Sequence, residues 1–268
     1  MASSLPWSEG VRSGGFVPPS LLDFFPQVVL FANTPFAINR IVIVRLISVA
    51  VIFAIFVTAT RRAKVVPDRF QAGVEMVLDF CRRSIAYDVL GEKLGRRYVG
   101  VITTIFISIF FLNITGVVTL LNIAGTSVIG MPLMFAAWVF VLYLGAAIKE
   151  HGVGKFLKSS LFPPGVPWFI YPLLTPIEFL QVFLLRPATL AIRLFANMMS
   201  GHLLLALCFT ATSYLFFDAS TGVKAFGIIT LGGGAFMFGL EIFVAALQAY
   251  VFAMLTAVYL QMVLEAEH

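Results

Sequence analysis

The chain has 268 residues, of which 60% are hydrophobic, 14% aromatic and only 12% charged, with a mean hydropathy of +0.99. That leaves too little polar surface for a soluble domain and predicts a polytopic membrane protein. The net charge of +5 is gathered in 61–97 (Arg61, Arg62, Lys64, Arg69, Arg82, Arg83, Lys93, Arg96, Arg97) and in Lys149, Lys155 and Lys158. This is the pattern of cytoplasmic loops and excludes a nucleic-acid footprint.

In chain order, residues 1–35 form a lead that contains Pro18-Pro19 and Pro26 and lacks the basic start and apolar core of a cleaved signal peptide. Residues 36–268 are expected to form one membrane domain. The first span runs from about Phe36 to Thr60, and Arg61, Arg62 and Lys64 place its end inside, so the chain starts outside. From Asp68 to Arg97 charges alternate with Val74, Met76, Val77, Leu78, Phe80, Ile85 and Leu90, which suits an amphipathic helix on the inner surface. A second span is expected over Tyr98–Ile123, a polar turn over Asn122–Ser127 and a third span over Met131–Ile148. Lys149, Glu150 and Gly152–Gly154 return the chain inside, and the prolines between Pro163 and Pro176 break its path.

The segment 177–217 measures about 60 Å as a helix, roughly twice the hydrocarbon thickness. The segment 223–264 is as long. Pro187 and Gly232–Gly234 are candidate breaks, but a folded-back turn in lipid would strand backbone groups. We therefore expect two long, slanted helices forming a hairpin over 177–264, hinged outside at Asp218–Gly222. The count is five crossings, with Glu265–His268 inside. Cys81 and Cys208, far apart, suggest neither a disulfide framework nor a metal site.

Function is sought where charge is costly. A guanidinium at bilayer depth costs roughly 2.5–3.5 kcal/mol on insertion scales, so Arg193 within Arg186-Pro-Ala-Thr-Leu-Ala-Ile-Arg193-Leu-Phe-Ala-Asn197-Met-Met-Ser-Gly-His202 needs compensation or a use. Asn197 shares its helical face, whereas His202, nine residues on at about 100° per residue, lies opposite. Glu241 and Gln248, seven apart, share a face of the last helix. Buried ionisable residues of this kind point to a proton or ion pathway.

These residues resemble the a subunit of F-type ATP synthases. The resemblance rests on Arg193-Leu-Phe-Ala-Asn197-Met-Met-Ser-Gly-His202-Leu, on Glu241, and on Leu247-Gln-Ala-Tyr-Val-Phe-Ala-Met-Leu-Thr-Ala-Val-Tyr259-Leu. Phe111-Leu-Asn-Ile-Thr-Gly116 and the Lys149–Gly154 loop extend it over about 70–264. It implies that Arg193 faces the carboxylates of a ring of c subunits and that His202 and Glu241 form a His/Glu pair. Gln248, Asn197 and Glu178 would complete the proton pathway; Glu178 stands one residue out of the family's commonest spacing from its Arg-Pro pair.

The resemblance further implies partners: the c-subunit ring, b-type peripheral stalk subunits and the remaining ATP synthase subunits. It implies a bacterial plasma membrane rather than a mitochondrial inner membrane, and no cofactor; the sequence does not distinguish H⁺ from Na⁺, and H⁺ is the default ion. The sequence contains no GxxxxGK[ST], so ATP chemistry is expected on other subunits. Alternatives are a secondary transporter, disfavoured because no internal repeat is evident, and a structural membrane subunit, which would not need Arg193, His202 and Glu241. His202 has a further alternative as a packed histidine without a transfer role, and Asn197 and Gln248 as helix-packing amides.

Overall fold

The computed structural model describes residues 28–30, 38–61, 63–118, 124–161, 168–217, 222 and 224–264. Most of the N-terminal lead, the start of the Asn122–Ser127 turn, the first prolines after Leu161, most of the Asp218–Gly222 hinge and the C-terminal tail lie outside the described residues. Among the described residues one short strand pair occurs, β1 (Val28–Leu30) antiparallel to β2 (Ile38–Asn39). The other regular elements among the described residues are helical: α1 (Arg40–Arg61), α2 (Arg69–Phe80), α3 (Asp88–Ile114), α4 (Gly130–His151), α5 (Val153–Leu161), α6 (Tyr171–Leu180), α7 (Arg186–Phe217) and α8 (Phe226–Leu264). Two π-helical turns, Cys81–Tyr87 and Gln181–Leu185, join α2 to α3 and α6 to α7. Among the described residues five helical stretches are long and apolar enough to cross a membrane, and the protein is an all-α, multi-pass integral membrane protein.

The first span begins at Arg40, after β2, instead of at Phe36. The second departs further from expectation. The helical path from Arg69 to Ile114 is broken at Gly91, whose φ of 71° and ψ of 170° belong to a backbone region only glycine occupies cheaply. The break separates the amphipathic stretch from the apolar one earlier than Arg97, because φ/ψ freedom, not charge, decides where a helix bends. Gly95 completes it: a Cβ there would sit 2.7 Å from Tyr87 Cδ1 and 2.9 Å from the Ala86 carbonyl oxygen. The span ends at Ile114 rather than Ile123. The Thr115 hydroxyl donates to the Leu112 carbonyl and Gly116 N–H to Asn113, turning the chain off the helix.

Two compact groups of segments can be distinguished. One comprises 1–48, 112–127 and 196–246; the other comprises 49–111, 128–195 and 247–268. In the second group Arg97 and Glu150 meet at 3.6 Å, so the start of the second span and the end of the third lie together, as an antiparallel pair requires. Gly152, at φ 76°, ends α4. Aromatic contacts carry the packing: Phe80 on Phe106 and Tyr250, Phe135 edge-on to Phe252, and Tyr143 edge-on to both Phe140 and Tyr259.

The turn between α6 and α7 follows from backbone accounting. Arg186 N–H donates to the Gln181 carbonyl, one residue further back than in an α-helix. The Val182 carbonyl thereby loses its α-helical donor, and its π-helical donor would be residue 187, a proline without N–H. Val182 is 4% exposed, and a stranded buried carbonyl costs about 1–3 kcal/mol. Tyr143 supplies the donor: its hydroxyl donates to the Val182 oxygen at 2.7 Å.

Candidate functional site

The segments 196–217 and 226–246 pair side by side as an antiparallel hairpin. Thr212 donates to Thr230 at 2.9 Å, Phe216 lies over Gly227, Cys208 against Gly234, and Gly201 against Glu241. Each step forward on α7 is matched by a step back on α8. Small residues permit the approach: a Cβ on Gly234 would lie 3.4 Å from Cys208 Cβ. Hydroxyls in this apolar setting bond back to their own helix, Thr210 to the Ala206 carbonyl and Thr230 to the Gly227 carbonyl.

This register brings together two sequence-predicted residues. His202 Nδ1 and Glu241 Oε1 stand 4.0 Å apart, with 8% and 4% of their side chains exposed. Both carboxylate oxygens of Glu241 are buried without a hydrogen-bond partner among the described residues. An ionised carboxylate in that position is costly, and an imidazole nearby is the group able to exchange a proton with it. Below the pair, Met198 and Ala245, one turn from His202 and Glu241 respectively, pack with Ala124 of the turn after α3.

That turn is itself a buried polar knot. Thr126 donates to Asn113 Oδ1 at 2.7 Å, both residues being fully buried. Gly125 N–H reaches the Leu112 carbonyl, and Arg45 Nε, from the first span, donates to the Gly125 carbonyl at 2.9 Å. Sequence reading missed Arg45, although a lone arginine one turn into an apolar helix carries the same signal that singled out Arg193.

The other group of segments holds the remaining candidates. Arg193 is exposed and makes no hydrogen bond or ion pair among the described residues. Thr189 and Ile192 are exposed beside it, whereas Leu190, Ala191 and Leu194 are buried. The cation is therefore on an outward face. Arg186, half-buried, lies 5.5 Å from the centre of the Tyr259 ring, a cation–π contact. Glu178 is half-buried on α6, and Gln248 is 3% exposed on α8. Asn197, which belongs to the first group, is half-buried. No cluster of His, Cys, Asp or Glu able to hold a metal occurs among the described residues.

An all-α membrane protein whose hairpin buries an imidazole beside a carboxylate belongs among ion-conducting proteins by its chemistry. The comparisons specify which. Residues 42–261 match the family described as ATP synthase A chain. An ATP synthase subunit a of Rhodococcus erythropolis is 43% identical over 252 residues, covering 94% of this chain and 92% of that protein. Those of Pseudarthrobacter chlorophenolicus and Streptomyces lividans are each 33% identical, covering 95% of this chain and 96% and 90% of theirs. The chain belongs to the ATP synthase A chain family.

Proposed function

We propose that this chain is the stator subunit that conducts protons past the rotating c-subunit ring of an F-type ATP synthase, in a bacterial plasma membrane. The observation that carries the reading is the outward-facing Arg193, a permanent charge with no counter-charge of its own among the described residues, whose partner is then on another chain. Arginine stays protonated under any cellular condition. It attracts the ionised carboxylate of a passing c subunit, favours proton release there, and blocks a direct short-circuit without itself carrying the proton.

His202 and Glu241 serve as the relay of the outer half-channel, with Gln248 and Asn197 as flanking amides and Glu178 as a further acid of the pathway. The membrane potential supplies about 2.3 kcal/mol per charge per 100 mV. Two offset half-channels make that energy turn the ring. The N-terminus lies outside and the C-terminus in the cytoplasm, b-type stalk subunits hold the chain against rotation, and catalysis of ATP synthesis resides on other subunits.

Replacing Arg193 with Gln removes the fixed charge while keeping a polar, hydrogen-bonding side chain. The expected outcome in membrane vesicles is an assembled complex without proton-driven ATP synthesis. Full coupled synthesis by assembled Arg193→Gln complexes would refute the assignment. Lys is a poor replacement, because its compact ammonium can lose its proton when desolvated.

A further inference from the structure

We propose that Tyr143 is a positioning residue for a charged stripe on the long arginine helix: by taking the Val182 carbonyl it holds the π-turn that brings Glu178 into line with Arg186 and Arg193. The proposal rests on the reading of Arg193 as the charge that faces the rotor.

A π-turn places one more residue in a turn than an α-helix does, so the α-turns flanking it keep the phase they would have with that residue absent. Glu178 precedes Arg186 by eight positions, which on an uninterrupted α-helix would set them about 80° apart around the axis. With one residue taken up between Gln181 and Leu185, the effective interval is seven and the offset falls to about 20°. Arg186 precedes Arg193 by seven positions, again about 20°. The three side chains thus follow one another along a single line, acid, base, base, two turns apart.

The turn is held from outside the helix. Arg186 N–H is diverted to Gln181 and Pro187 has no N–H, so nothing in the helix restores the Val182 carbonyl. Tyr143 does so at 2.7 Å. Tyr143 is 1% exposed, its ring is edge-on to Tyr259 at 6.1 Å, and Tyr259 is the ring that Arg186 covers. One aromatic pair therefore fixes both the turn and the first cation downstream of it.

The test uses assembled complexes in membrane vesicles. Tyr143→Phe keeps the ring contacts and removes only the donor; it is expected to lower proton-driven ATP synthesis on the order of tenfold, as small misplacements of a reacting charge do. Deleting Gln181, an exposed residue, returns the helix to plain α geometry in the same phase, with Arg186 N–H now facing the Val182 carbonyl. That deletion is expected to preserve assembly and coupling, and in its background Tyr143→Phe is expected to have no effect. Deleting Leu190, outside the turn, rotates the stripe and is expected to abolish coupling.

Wild-type rates for Tyr143→Phe, equal losses in both backgrounds, or a Gln181 deletion as damaging as the Leu190 deletion would each overturn the proposal. If Tyr143→Phe does not assemble, the contrast between the two deletions decides. Arg193→Ala is run alongside. Retained coupling there defeats the functional reading, whereas the assembly of the two deletion variants still judges the π-turn.

Discussion

At the scale of single residues, the His202–Glu241 pair makes the sharpest demand. If the two share one proton site, His202→Ala and Glu241→Ala each slow ring-dependent proton flux strongly, and the double exchange His202→Glu with Glu241→His recovers part of it, because the pair's chemistry survives. Flux in vesicles across a pH range measures this; additive losses without recovery leave His202 as a packed histidine. A second residue-level expectation concerns the polar knot. Thr126→Val removes the hydroxyl that donates to Asn113 Oδ1, at 2.7 Å and in full burial, and is expected to cost about 1–3 kcal/mol. Thermal unfolding of the detergent-solubilised protein reads the loss.

At the scale of elements, the bounds that follow from hydrophobic pattern alone were legible. The third span, expected over Met131–Ile148, is Gly130–His151, and the last apolar segment is Phe226–Leu264 without a break at Gly232–Gly234. The bends were not legible, since they depend on backbone freedom and hydrogen-bond accounting rather than on polarity. Gly91 sits in a run whose charges continue past it to Arg97, so composition hides the break. Pro187 suggested an interruption, yet the irregularity precedes it, in the turn whose carbonyl lacks a donor. That same turn lies between Glu178 and the Arg-Pro pair, the interval whose length departs by one residue from the family's usual spacing. Gly91→Ala forces an L side chain into a conformation at φ 71° and is expected to destabilise the protein by about 1–3 kcal/mol, measured as a lowered unfolding temperature in detergent.

For the whole molecule, class and family were readable from composition together with Arg193, His202 and Glu241, because intramembrane charge is too expensive to be incidental. What was not readable is how far each candidate stands from the others: the sequence places His202 and Glu241 on separate helices, and only the hairpin's register sets them 4.0 Å apart. The proposed five-crossing topology has its own test. In a background lacking Cys81 and Cys208, a cysteine at Gly222 is expected to react with an impermeant thiol reagent from outside and one at Lys155 only from inside. Labelling of both from one face of the membrane would contradict the five-crossing arrangement.

The hairpin's register has a consequence for how this protein tolerates change in length. The partners Thr212 with Thr230, Cys208 with Gly234 and Gly201 with Glu241 work like teeth on two racks: gaining or losing a residue between Gly201 and Thr212 shifts every later pairing and turns the imidazole off the carboxylate. A compensating change between Thr230 and Glu241 would restore the mesh. Heritable insertions and deletions in this stretch should therefore survive only as matched pairs, whereas the connecting loops are free to vary in length singly.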